Sequence, residues 1–252
     1  MGFFDLIQGH EGITLSGVRY GFQETTVSSA DTLIKQLTSN NASAKNKAFI
    51  NFLKSGLTFL GSQKGDAIRL DSLLAEDAAE MLVNFRRKTL GDVFAFDYEG
   101  AVMKADLSEL ECKPYAWNPE KIEMYDTYDE MLEANRVQSC MLMGQEIQWK
   151  IPLMDVSSDE NSGVLAKLAE SRGATYSYTV TDPATKKESV LKDRIRWNDK
   201  NASLKALDQF ADIWKSVEGF YDTSLTINGS DGNKATVNLL GMPSFFSRAL
   251  AK

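Results

Sequence analysis

Apolar residues along this chain fall first into a helical rhythm and later into an alternating one. After Ser28 and Ser29, either of which can cap a helix, Leu33, Ile34 and Leu37 share one face, and Asn40-Asn41 ends the pattern. Over residues 43–60, Ala48, Phe49, Phe52, Leu53, Leu57 and Leu60 recur three and four apart, which predicts a second helix stopped by Gly61. A third begins after Asp71 or Ser72, with Leu73, Leu74, Ala78, Met81, Leu82 and Phe85 as its stripe and Gly91 at its end. The basic run Arg86-Arg87-Lys88 fills its last turn and reads as a solvated helix end, where cations suit the dipole.

From residue 93 the period becomes two. Residues 93–98 and 102–110 read as strands around Glu99-Gly100, and Val102, Lys104, Asp106 and Ser108 alternate with Met103, Ala105 and Leu107, so one face should be wet. Residues 114–144 crowd Tyr115, Trp117, Tyr125 and Tyr128 among acids, and 131–143 fits a short helix. Residues 146–153 read as a strand that Pro152 ends. A loop and then a helix carrying Val164, Leu165 and Leu168 fit residues 155–173, with Gly173 as the stop. A hairpin over Asp182-Pro183 joins 175–181 to 189–191. Leu204, Leu207, Phe210, Trp214 and Val217 form the stripe of a strong helix, and a second hairpin joins 223–227 to 235–240. The predicted class is α+β: N-terminal helices, then mixed antiparallel strands and hairpins with two further helices. Residues 1–27 form an arm or first strand and 28–252 a single domain, within which 119–144 looks like an insertion.

An apolar fraction of 43% is enough for a core and argues against global disorder. A net charge of −7 repels phosphate backbones, so nucleic acid is not an expected partner. No segment approaches the roughly 20 apolar residues of a membrane span. The opening residues lack a basic n-region, and Leu6 breaks the myristoylation pattern that Gly2 would start. Cys112 and Cys140 read most simply as free thiols, with a single bridge between them as the alternative. Such scarcity of cysteine, together with a lone histidine, His10, removes the residues that most often perform nucleophilic and acid–base chemistry.

The best catalytic candidate is Asp97 on one strand with Glu111-Cys112-Lys113 on the next. Two carboxylates on a hairpin can hold Mg²⁺ and a lysine can position a water, as in metal-dependent nucleases; polar residues at a strand edge are the plainer reading. Asn228, Ser230 and Gly232 resemble part of a calcium loop but lack the closing glutamate, and Asp155, Asp159 and Glu160 fit a solvated loop. His10 is expected to be a solvated side chain. The chain's most conspicuous apolar groups lie near its ends: Phe3, Phe4, Leu6 and Ile7, and then Met242 with Phe245 and Phe246. Groups this large must be buried, either in this subunit or in a neighbour.

Four segments in order resemble the baseplate-hub family of contractile-tailed, T-even-type bacteriophages. They are Val18-Arg19 leading into helices, the helix end from Leu82 to Gly91 running into a strand, Ala105-Asp106-Leu107-Ser108-Glu109-Leu110 followed by Ile151-Pro152-Leu153, and the ending from Gly241 to Phe246. Family members often carry paired cysteines around the first hairpin; only Cys112 stands there in this chain, so no metal site is carried over. The resemblance implies a structural or assembly component of a tail baseplate or hub, without cofactor or catalytic residue. It would be located in the virion after assembly in the host cytoplasm. Its expected partners are other tail and baseplate proteins, with a homo-oligomer in a symmetric assembly as a further expectation. Phe3, Phe4, Leu6, Ile7, Met242, Phe245 and Phe246 are the expected contact residues. A hub-assembly chaperone missing from the mature particle and a Mg²⁺-dependent nuclease are the alternatives.

Overall fold

The computed structural model describes residues 9–24, 27–38, 42–70, 72–154, 164–228 and 234–246. Its first described elements are strands, while residues 1–8 of the expected arm or first strand lie outside the described residues. Gly9–Ile13 (β1) and Arg19–Gln23 (β2) pair antiparallel. Glycine hides this hairpin from a reading by periodicity, and the same glycine makes it work. A Cβ on Gly12 would lie 2.6 Å from the Tyr20 ring, and one on Gly21 would lie 2.2 Å from the Phe59 ring. Aromatic rings from adjoining strands therefore occupy the space above both glycines.

Helices α1 (Val27–Leu37) and α2 (Ala42–Gly56) follow. The second stops earlier than its apolar spacing predicts. Leu57–Leu60 is a strand, β3, that pairs with β2 and with β4 (Gln63–Lys64) to complete the order β1-β2-β3-β4. The spacing of buried Leu57 and Leu60 fits a helix, but the open edge of β2 and the poor helix former Gly56 decide the outcome for a strand. Gly61 then turns the chain at φ +58° instead of capping a helix.

Helix α3 (Ala75–Leu90) ends at Gly91, whose N–H donates to Arg87 O. The basic run at its end is not uniformly solvated. Arg86 is buried, donates to Gly91 O at 2.6 Å and Val93 O at 3.3 Å, and lies over the rings of Phe94 and Phe245. Arg87 pairs with Asp92 at 2.7 Å, and Lys88 is exposed. Strands β5 (Val93–Tyr98) and β6 (Ala101–Asp106) pair around Glu99-Gly100, with Val102, Lys104 and Asp106 exposed and Ala105 buried. Next come β7 (Cys112–Lys113) and α4 (Tyr128–Asn135), whose Thr127–Glu130 capping box fixes its start. The expected 131–143 helix is thus half right: it begins earlier, and Val137–Leu142 is a strand, β8, paired with β9 (Gln145–Lys150).

After α5 (Val164–Glu170), β10 (Thr175–Thr181) and β11 (Glu188–Arg194) extend this second sheet in the order β11-β10-β9-β8. Helix α6 (Leu204–Val217), capped by Ser203, packs on it. Strand β12 (Phe220–Tyr221) returns to β7, and β13 (Ser224–Asn228) pairs with β14 (Lys234–Asn238) before two short 3-10 turns. The class is α+β. Among the described residues, no helix is long and apolar enough to cross a membrane.

Two apolar clusters hold these elements. One gathers the N-terminal sheet, α1 to α3 and the β5–β6 hairpin; the other is built on Trp149, Trp197, Phe210 and Trp214 beneath the second sheet. The paired phenylalanines belong to the first. Phe245 is fully enclosed and meets Phe94 edge to face at 5.2 Å, while Phe246 meets Phe52 at 5.2 Å. Met242 packs half-buried against the same cluster. The expectation that Phe245 and Phe246 anchor a neighbour is therefore corrected: this chain buries them itself, because α2, α3 and β5 leave an aromatic slot there. Phe3, Phe4, Leu6 and Ile7 lie outside the described residues. Replacing Phe245 with Ala should lower the unfolding free energy in urea by about 3–5 kcal/mol; a loss under about 1 kcal/mol, the range of surface changes, would contradict a core role.

Candidate functional site

Helix α3 carries acids at positions 76, 77 and 80 into the interior. Asp77 is completely buried. Its Oδ2 accepts from Ser16 Oγ at 2.5 Å and from Tyr128 Oη at 2.6 Å, and its Oδ1 accepts from the Ser16 N–H at 3.1 Å. Tyr128 Oη in turn accepts from the Leu74 N–H at 2.9 Å, so the residue before α3 is tied to the first residue of α4. One turn along, buried Glu80 pairs with Lys121 and accepts from Asn84 Nδ2 at 3.1 Å; Asn84 also donates to Tyr20 Oη at 2.9 Å. Burial pushes the Asp77 carboxyl up to about 6 and Glu80 up to about 7, with Ser16 and Lys121 respectively pulling the other way.

Glu76 faces the seam between the clusters. It accepts from the Tyr221 N–H at 2.8 Å, and burial raises it to about 7. Across the seam, Arg172 binds Glu218 through two nitrogens, one at 2.8 Å, and its guanidinium lies 4.2 Å from the Trp214 ring centre. Burial raises Glu218, opposed by Arg172. A cavity of about 400 Å³ opens here, walled by Glu76, Tyr115, Pro152, Leu168, Arg172 and Glu218. Its Glu76, Arg172 and Glu218 are already joined to other groups of the chain, so the cavity is part of the seam that joins the two clusters.

The second feature is on the surface. Thr175 and Tyr176 pair with β9 as well as β11, but from Ser177 onward β10 pairs only with β11. The β10–β11 hairpin therefore runs on past the sheet. All seven residues of β11 are exposed, as are Tyr178 and Val180 on β10. Tyr178, Val180 and Leu191 share one face, and Val190, 68% exposed, lies on the other. The turn is set by Asp182, whose Oδ1 accepts from Ala184 N at 2.8 Å and Thr185 N at 3.2 Å, bonds that hold its carboxyl below the usual range.

The nuclease-like triplet is not assembled as the sequence suggested. Asp97 caps its own turn by accepting from the Gly100 N–H at 3.1 Å and lies opposite Val102. Lys113 belongs instead to the β7–β12 pairing, Glu111 just before it accepts from the Asp222 N–H through its backbone O at 2.8 Å, and Lys113 Nζ donates to Lys215 O at 2.5 Å and Ser216 O at 3.2 Å, which caps α6. Among the described residues, no three His, Cys, Asp or Glu side chains form a group that could hold a metal ion. Cys112 is exposed and Cys140 half-buried; both are free thiols, and burial raises Cys140. His10 is half-buried, 5.5 Å from the Phe22 ring, instead of fully solvated. Asp155, Asp159, Glu160, Ser230 and Gly232 lie outside the described residues.

Sequence reasoning missed the α3 acids because acids in a first turn read as dipole partners. The available signal was their place on the apolar side of the wheel, beside Leu74, Ala78 and Met81. Their pH dependence has a definite sign. The folded state raises Glu76 from 4.5 to about 7 and Glu80 likewise, so it keeps protons that the unfolded chain releases. The resulting stability is complete below about pH 4.5 and is lost as pH rises through about 7. Urea unfolding should show lower stability at pH 8 than at pH 5.5, and Glu76→Gln should reduce that difference. An unchanged difference in the variant would count against a buried, protonated Glu76.

Comparison of the chain with protein-family models, with curated proteins and with solved structures finds no significant match.

Proposed function

We propose that this chain is a non-enzymatic component of a contractile phage tail, acting at the baseplate or hub through protein–protein contacts. The projecting β10–β11 hairpin carries the contact part of this reading. Two strands alone are marginally stable in water, yet this pair continues beyond its sheet with Tyr178, Val180 and Leu191 on one face and Val190 on the other. Exposed apolar groups on both sides of an open edge suit an element that a neighbour covers. The ordered segments that resemble baseplate-hub proteins are the ground for the tail assignment, and the hairpin replaces Phe245 and Phe246 as the expected contact.

Mass spectrometry of tail particles purified from the natural source tests this. The chain should be present in finished particles. A Tyr178→Ser, Val190→Ser variant that keeps its circular dichroism spectrum should be depleted from them by about tenfold or more, since each buried interfacial apolar group contributes roughly 1.5–3 kcal/mol. Presence only in assembly intermediates would replace the structural role with that of a hub chaperone. Absence from both would overturn the tail reading.

A further inference from the structure

We propose that the open edge of β11 pairs with the same edge of a second copy of this chain, about a two-fold axis at Val190. This deepens the assembly reading above, on which it rests, by naming the partner of the hairpin.

The backbone sets which groups are available. Asp182 N–H donates to Lys187 O at 2.9 Å, and Ile195 N–H donates to Ala174 O at 2.8 Å. These two bonds fix the phase of the ladder between them. Ser189, Leu191 and Asp193 turn their N–H and C=O groups toward β10, and Glu188, Val190 and Lys192 turn theirs away from it. β11 is the last strand of its sheet, so these outward groups meet no further strand among the described residues.

The side chains of that edge are complementary to themselves. The strand and the residue before it read Lys187-Glu188-Ser189-Val190-Leu191-Lys192-Asp193-Arg194. Two such strands, antiparallel about Val190, place Glu188 opposite Lys192 of the second copy and Lys187 opposite its Asp193. The two-fold repeats both pairs. Val190, the most exposed apolar residue of the hairpin, then meets its own counterpart. Cβ atoms of directly opposed residues stand about 5 Å apart, close enough for both charge pairs and apolar contact. The outward groups of Glu188, Val190 and Lys192 fall in hydrogen-bonded register, giving about six backbone bonds across the axis.

A register centred on Leu191 is less favourable. It opposes Glu188 to Arg194, but Arg194 already donates to Glu170 O at 3.1 Å, and its N–H is taken by Asp193 Oδ1 at 2.7 Å. The Val190 register leaves those contacts in place. It asks only that Lys192 Nζ release Gln148 Oε1, a neutral acceptor at 2.9 Å, for a carboxylate. A closed two-fold contact also prevents the exposed edge from templating open-ended assembly.

Sedimentation velocity over a concentration series, with circular dichroism as the folding check, tests the pairing by charge reversal. The wild-type chain should dimerise. Glu188→Lys alone and Lys192→Glu alone should each weaken the dimer roughly tenfold or more, because each sets two pairs of like charges face to face. An equimolar mixture of the two variants should dimerise again, since every reversed charge then meets its opposite, and the double variant should do so by itself. A wild-type monomer at the highest concentration, a dimer indifferent to the single reversals, a mixture that stays monomeric, or rings and filaments in place of dimers would each overturn the proposal. The tail reading is judged separately, by presence in particles: a soluble monomer found in particles refutes only the two-fold pairing, and a dimer absent from them refutes only the tail assignment.

Discussion

Asp77 is an acid enclosed by an apolar cluster, and an enclosed carboxylate must find its donors within the chain. That requirement organises the first half of the molecule. Its donors come from Ser16, between β1 and β2, and from Tyr128, at the start of α4, residues 61 and 51 positions away. Tyr128 passes the constraint on to the Leu74 N–H and so to the beginning of α3. Trp117 adds a bond from its indole to Ser16 O at 3.0 Å, and Lys121 reaches Glu80. The acid-rich, aromatic stretch after the β5–β6 hairpin is thus the strap that answers the charges of α3. Both oxygens of Asp77 accept hydrogen bonds, and removing one of these donors leaves a buried charge partly unmatched.

The second cluster joins the first through a similar device. Arg172 and Glu218 are both buried, bonded to each other, and braced by the Trp214 ring. Lys113 closes the end of α6, and β7 pairs with β12 beside it. Polar groups whose bonds require a particular geometry thereby fix how the second sheet sits on the first cluster. That sheet is the base from which the β10–β11 hairpin extends. In the proposed function, the buried polar joints hold the base still and the hairpin carries the contact.

Much of the fold was legible where one period dominated. The helices α3 and α6 and the turns at Glu99-Gly100 and Asp182-Pro183 are local signals that the structure contains, although Leu73 and Leu74 lie before α3 and Leu204 of the α6 stripe is exposed. Local reading failed where tertiary demand outweighed it. Leu57 and Leu60 fit a helix until β2 supplies an edge to pair with. The β1–β2 hairpin is masked by Gly12 and Gly21, whose missing side chains make room for Tyr20 and Phe59. Arg86 looked like a surface cation, yet it is buried, with its guanidinium donating to Gly91 O and lying over core rings. The hairpin was foreseen as an element, but its projection was not, because that depends on how far β9 runs beside β10.

The central claim, that the Asp77 node ties the loop after β1, the start of α3 and the start of α4 into one unit, is tested most directly by a double-mutant cycle in urea unfolding. The cycle uses Asp77→Ala, Tyr128→Phe and the pair together. A bond of this kind to a buried carboxylate predicts a coupling of about 1.5–3 kcal/mol, with the double variant losing less than the sum of the singles. Strict additivity would contradict it.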